Sequence, residues 1–123
     1  ELTLFKTKWI VFSIYRLPEY CNLSLFFNEL TFSLSKASEN YEHFIVMGDF
    51  NIDINTKGVG FEKLDEFCDV FNLTNLVKSD TCITKTHRST IDLLMTNKPL
   101  SFQKISSDRN WIKRFSQTYN CFF

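Results

Sequence analysis

His43 to Asn51 reads HFIVMGDFN. The first five residues are apolar or aromatic, with two β-branched members, and suit a short buried strand. The strand then runs straight into Gly48-Asp49-Phe50-Asn51, so polar side chains emerge where a buried strand ends. Working outward toward the N-terminus, Lys8 to Leu17 (KWIVFSIYRL) is nearly continuous apolar and suits a second buried strand, stopped by Pro18. Between the two, Ser24 is placed to cap a helix. The helix carries Phe26, Phe27, Leu30 and Leu34 at i+3, i+4, i+7 and i+11 from Leu23, one apolar stripe ended by Ser38-Glu39-Asn40. Toward the C-terminus, Asn55 to Gly60 reads as a loop. A second helix follows with Leu64, Phe67, Cys68 and Phe71 on one face. Leu73–Val77 and Thr81–Thr86 are short extended pieces. Thr90 to Met95 (TIDLLM) is a third major strand, closed by Asn97-Lys98-Pro99.

The order strand, helix, strand, helix, strand predicts an α/β fold with helices packed on a sheet. Two crossover helices would bring several strand ends to one edge, where ligands usually bind. The composition agrees. The chain has 123 residues, 44% hydrophobic and 23% charged, which excludes whole-chain disorder and allows one domain at most. Three Gly and two Pro are few for an all-β protein, and 14 Phe suffice to build a core. No apolar run is long enough to span a membrane. The formal net charge of zero supplies no basic field of the kind that holds nucleic acid non-specifically. Cys21, Cys68, Cys82 and Cys121 show no C-x-x-C spacing and have no nearby His, so they read as reduced, mostly buried thiols of an intracellular protein. Asn22-Leu23-Ser24 and Asn72-Leu73-Thr74 match the glycosylation pattern, a match expected to be chance for a chain read as intracellular. Glu1 stands where a Met would begin a protein, just before a strand-like run, so the chain is expected to be a piece of something longer.

Asp49 and Asn51 stand two apart and would point the same way from an extended chain. An acid beside an amide suits phosphate chemistry: the carboxylate orients or deprotonates a water and the amide holds a phosphate oxygen. The competing reading is a plain turn, which Gly, Asp and Asn favour anyway. Asp92 lies inside an apolar strand; it either orients a His or faces solvent from a half-exposed strand. Tyr15 is either a phosphate contact or a core tyrosine. His87-Arg88 makes a local basic spot, or simply a solvated loop.

Four segments, IYRLP, MGDFNID, KLDEFCDVFNLTNLV and TCITKTHRSTIDLLMTNKP, occur in the order and spacing of a known family. Together they resemble the endonuclease domain of non-LTR (LINE-type) retrotransposons, within the endonuclease/exonuclease/phosphatase superfamily, from about Trp9 to Gln103. The resemblance implies part of a four-layer α/β/β/α sandwich and Mg²⁺-dependent hydrolysis of a DNA phosphodiester. In its terms, Tyr15 matches the tyrosine closing a core strand near the scissile phosphate. Asp49 matches the aspartate that activates the attacking water, and Asn51 the asparagine beside it. Thr84 looks like the threonine of the loop before the next strand, and Asp92 matches the aspartate supporting a catalytic histidine. The implied partner is DNA, with no membrane association and no obligate protein partner. The implied address is intracellular, and nuclear for a working enzyme.

Two parts of the family pattern are missing. The metal-binding Glu and an early Asn would lie upstream of Glu1, and no His follows His87 to complete the terminal Ser-Asp-His motif. Residues 1–105 are therefore expected to form a partial domain, truncated at the N-terminus. Residues 106–123 are expected to be an aberrant tail. Back-translated from Arg109 with permitted codons and read one base on, the tail gives ETGLSDFHKLI, the missing motif with its usual flanks. Sequencing the encoding DNA checks this: no one-base shift restoring Ser-Asp-x-His means no frameshift. With so incomplete a ligand set the chain is expected to fold marginally and to be inactive or severely impaired. Two alternatives are a non-catalytic binding module on the same scaffold and a phosphatase of the same superfamily. The last two quoted segments favour the retrotransposon branch.

Overall fold

A computed structural model describes residues 2–4, 7–18 and 22–102. Strands β1 (Leu2–Leu4) and β2 (Thr7–Tyr15) are followed by helix α1 (Leu23–Ser38) and strand β3 (His43–Asp49). Helix α2 (Val59–Phe71) and strand β4 (Thr74–Asn75) come next. The two-stranded ribbon β5 (Cys82–Ile83) and β6 (Arg88–Ser89) leads into strand β7 (Asp92–Thr96), and a 3₁₀ turn spans Pro99–Phe102. The expected tail, 106–123, lies outside the described residues, as do Cys21 and Cys121.

The fold is mixed α/β, as the patterning predicts. One sheet has the order β1-β2-β3-β7-β4. β2 and β3 run parallel, joined over the sheet by α1. The second connection departs from the simplest expectation. β7 pairs antiparallel with β3, and β4 pairs antiparallel with β7. The crossover through α2 thus joins β3 to β4, strands of the same direction, and leaves a gap between them. The ribbon turns the chain round so that β7 fills that gap from the opposite direction. β1, antiparallel to β2, is an edge strand too short to show a period.

Alternation along the strands divides the core in two. On one face, Phe44 and Val46 of β3 and Leu93 and Met95 of β7 meet Phe27, Leu30 and Leu34 of α1 and Leu64 and Phe67 of α2. The helices touch through Phe27 and Phe67, whose rings lie 5.8 Å apart. On the other face Trp9, Ile45, Met47, Val77, Leu94 and Phe102 form a second cluster, with Phe102 set edge-on to Trp9 at 5.7 Å. A sheet and a helical layer of the expected sandwich are thereby accounted for. Among the described residues no helix is long and apolar enough to cross a membrane.

The helix ends are set by local chemistry. Asn22, rather than Ser24, caps α1: its Oδ1 accepts the N–H groups of Ser24 (2.9 Å) and Leu25 (3.2 Å). Asn and Ser cap about equally well, so extended backbone at Asn22 decides between them. α2 starts earlier than expected, at Val59 after Gly58, and ends on Asn72 in the left-handed region (φ 53). Cys68 of α2 sits against Met95, sulfur to sulfur at 3.4 Å. Burial, and then the charges of Asp65 and Asp69, push its thiol up to about 12. Alkylation with iodoacetamide at about pH 8, mapped by mass spectrometry, should therefore label Cys82 and leave Cys68 unmodified in the folded chain. Equal labelling of the two would show that this wall of the core opens readily.

Candidate active site

β2 and β3 end together, and β7 begins beside them. In the sheet register Tyr15 lies opposite Asp49, and Asp49 opposite Asp92. Three residues singled out from sequence thus form one row across three neighbouring strands. The strand alternation puts the row on the face away from the helices, in phase with Ile45, Met47 and Leu94. Tyr15 is 68% exposed and is not a core tyrosine. Asp49 and Asp92 are half-buried.

The close approach of β2 and β3 depends on Gly48. Its φ is +135°, and a β-carbon there would collide with the backbone carbonyl of Ile14, its partner on β2. Beyond Asp49 the chain leaves the strand. Phe50 N–H donates to Ile91 O at 3.0 Å, and the Phe50 ring is fully buried, edge-on to Phe26 at 6.1 Å. Asn51 has φ 50, so it does not continue an extended chain beside Asp49 as the two-residue spacing suggests. The pair is joined by a tight turn instead: Asn51 N–H donates to Asp49 Oδ1 at 2.9 Å. The Asn51 carboxamide donates through Nδ2 to Arg16 O at 2.6 Å. Asp and Asn are the residues that tolerate such a turn and close it with their own side chains.

Asp92 is held from the ribbon. Thr81 Oγ1 accepts the N–H groups of Ile91 and Asp92, both at 3.1 Å, and also hydrogen-bonds the Asp92 carboxylate. Burial pushes the Asp92 carboxyl above the ordinary value; the Thr81 hydrogen bond opposes this and the charge of Asp49 adds to it. Thr84 lies elsewhere. Its hydroxyl accepts His87 N–H at 3.0 Å in the exposed β5–β6 turn, and it is Thr81 of the same segment that reaches the row. His87 and Arg88 are exposed, Arg88 lying 3.9 Å from Asp80. Below the row, Asp53 ties its own loop to the start of β7: Oδ1 accepts Thr90 N–H (3.0 Å) and Asn55 N–H (3.1 Å), and Oδ2 accepts the Thr56 hydroxyl (3.0 Å). Burial alone would raise the Asp53 carboxyl, but those bonds and the charge of His87 hold it below the ordinary value.

The two shifts act on stability with opposite signs. Asp53, lowered, contributes stability above its unfolded value that is lost as pH falls through its folded one. Asp92, raised, favours the folded state below its unfolded value, and that contribution is lost as pH rises through its folded one. Removing the facing charge with Asp49→Asn should therefore raise Tm at about pH 7 and leave it nearly unchanged at about pH 3, where the raised Asp92 carboxyl is already neutral and no charge pair remains. The gain should be about 0.5 kcal/mol, the scale of a like-charge pair facing across a sheet. An equal loss at both pH values would mean that the turn, not the charge pair, dominates at this position.

Among the described residues no group of three or more His, Cys, Asp and Glu side chains could hold a metal ion. Asp49 and Asp92 offer the hard oxygens Mg²⁺ prefers, but two carboxylates, one with an oxygen already engaged by Asn51, are not an octahedral site.

The edge of this mixed sheet thus gathers two carboxylates, an exposed phenol and an acid-amide turn. The sequence profile of the family described as endonuclease-reverse transcriptase matches residues 9–116. The chain belongs to that family. Among solved structures it is similar to an endonuclease/exonuclease/phosphatase family protein from Leptotrichia buccalis C-1013-b, at 16% identity and a TM-score of 0.36. That similarity covers 57% of this chain and 31% of the other. No curated protein matches.

Proposed function

We propose that this chain carries the central part of a Mg²⁺-dependent DNA endonuclease from a non-LTR retrotransposon, and that residues 1–123 alone do not hydrolyse DNA. The observation supporting the nuclease reading is the row Tyr15, Asp49 and Asp92 at the sheet edge, reached by the Asn51 turn. With Oδ1 fixed by the Asn51 N–H, the other carboxylate oxygen of Asp49 is placed to orient a water and take its proton. Asn51 brings an amide beside that water. Tyr15 presents an exposed hydroxyl to a phosphate oxygen. On this reading Asp92, held by Thr81, would orient a histidine from another segment, since the chain's own His43 and His87 are not among its partners. The described residues do not fit Mg²⁺ by themselves, so this reading requires further oxygen ligands beside Asp49 and Asp92.

Three measurements test this. The flanking DNA should encode an upstream segment bearing a Glu and an Asn, and a reverse transcriptase downstream; an intact frame with neither defeats the retrotransposon reading. Purified 1–123 should leave supercoiled plasmid intact in Mg²⁺. Nicking that Asp49→Ala abolishes would overturn the proposed inactivity while strengthening the nuclease reading. A cooperative melt together with DNA binding that Asp49→Ala leaves unchanged would favour the binding module over a catalytic remnant.

A further inference from the structure

Arg16 is the first residue beyond β2 and is 7% exposed. A buried guanidinium needs partners. Among the described residues no carboxylate lies within ion-pair distance of it. Its partners are backbone carbonyls just past the last paired residue of β3. Nε donates to Phe50 O at 2.6 Å, and Nη2 to Asn51 O at 2.8 Å. The main chain of the same residue completes the tie: Arg16 N–H donates to Asp49 O at 2.9 Å, and Arg16 O accepts Asn51 Nδ2 at 2.6 Å. Side chain and backbone of one residue thus grip Asp49, Phe50 and Asn51 together.

The geometry points to Arg16 as the positioning residue of the acid-amide turn: its guanidinium fixes the two carbonyls that orient Asn51, and thereby the place of the Asn51 carboxamide relative to Asp49. The arrangement calls for arginine specifically. Two neighbouring carbonyls match a planar fork, whereas a lysine ammonium is a single point donor that satisfies one and abandons the other. The grip is also reciprocal, because Asn51 returns a hydrogen bond to the residue that holds it. Displacing the guanidinium frees both ends at once.

The inference rests on the reading of Asp49 and Asn51 as the phosphate-handling pair, but its test needs no catalysis. In isotope-labelled 1–123, side-chain NMR should show Arg16 Nε–H and the Asn51 Nδ2 protons exchanging with water at least about tenfold more slowly than Nε–H of exposed Arg88. In R16K the Asn51 carboxamide pair should move toward free-asparagine positions and exchange about tenfold faster, while the backbone amides of Ile45–Met47 and Leu93–Met95 stay in place. Unchanged Asn51 side-chain signals in folded R16K would overturn the proposal. If R16K does not fold, the wild-type exchange decides: an Arg16 Nε–H as labile as that of Arg88 overturns it equally. Failure of the nuclease reading would instead appear in the flanking DNA, with the Arg16–Asn51 tie intact.

Discussion

Gly48→Ala should destabilise the chain by about 2–5 kcal/mol, the sum of an unfavourable backbone conformation and a collision that cannot be relieved by a side-chain rotation. The atom in the way is the Ile14 carbonyl oxygen, part of the ladder joining β2 to β3. Either the two strands part or the Gly48 peptide rotates, and each movement displaces Asp49 from Tyr15. Urea unfolding measures the effect, with Gly58→Ala as the comparison. Gly58 has extended backbone and no atom within 4 Å of an added β-carbon, so that change should cost only the loss of a tolerated N-cap residue, about 1 kcal/mol or less. Equal costs at the two glycines would refute the collision.

Phe50→Ala should cost about 3–5 kcal/mol, the range for deleting a fully buried aromatic side chain. The ring has no exposed surface and packs on Phe26 beneath the helical layer. It sits between Asp49 and Asn51, so the same ring that fills the core also pins the turn. Chemical denaturation should register the loss of stability, and the NMR signals of the Asn51 carboxamide should broaden in the surviving folded population. Phe32→Ala is the control. Phe32 is 65% exposed beside Lys36, and its loss should cost less than about 1 kcal/mol. Similar losses at Phe32 and Phe50 would mean that the turn is not anchored through its aromatic residue.

Much of this was legible in the residues. The α1 stripe of Phe27, Leu30 and Leu34 is buried as its spacing requires, and the apolar runs around Val11, Val46 and Leu94 are the central strands. Their lengths and periods are local properties, which is why they can be read locally. Asp49 and Asp92 drew attention as carboxylates at or inside apolar strands, and they face one another. What stayed hidden depends on contacts between distant segments. The direction of β7 is set by how β4 and the ribbon route the chain, not by the pattern of TIDLLM, which reads the same either way. Thr81 and Thr84 share one polar stretch, and only the ribbon pairing shows that Thr81 reaches Asp92. The sequence around Arg16 shows only that a strand closes there; its burial follows from the turn that β3 makes beside it. Asn51 suits an extended chain as well as a turn until Phe50 is placed in the core.

The row at the sheet edge also bears on when the site can exist during folding. The contacts around it join distant parts of the chain: Arg16 meets Phe50 across 34 positions, and Asp53 meets Thr90 across 37. Both contacts require closing long loops before they return any energy, so they belong to the slow, non-local stage of assembly. The helices can form early from local contacts, but the carboxylate row cannot. The row is complete only with β7 between β3 and β4, so Asp92 joins Tyr15 and Asp49 through the last of the described strands in chain order.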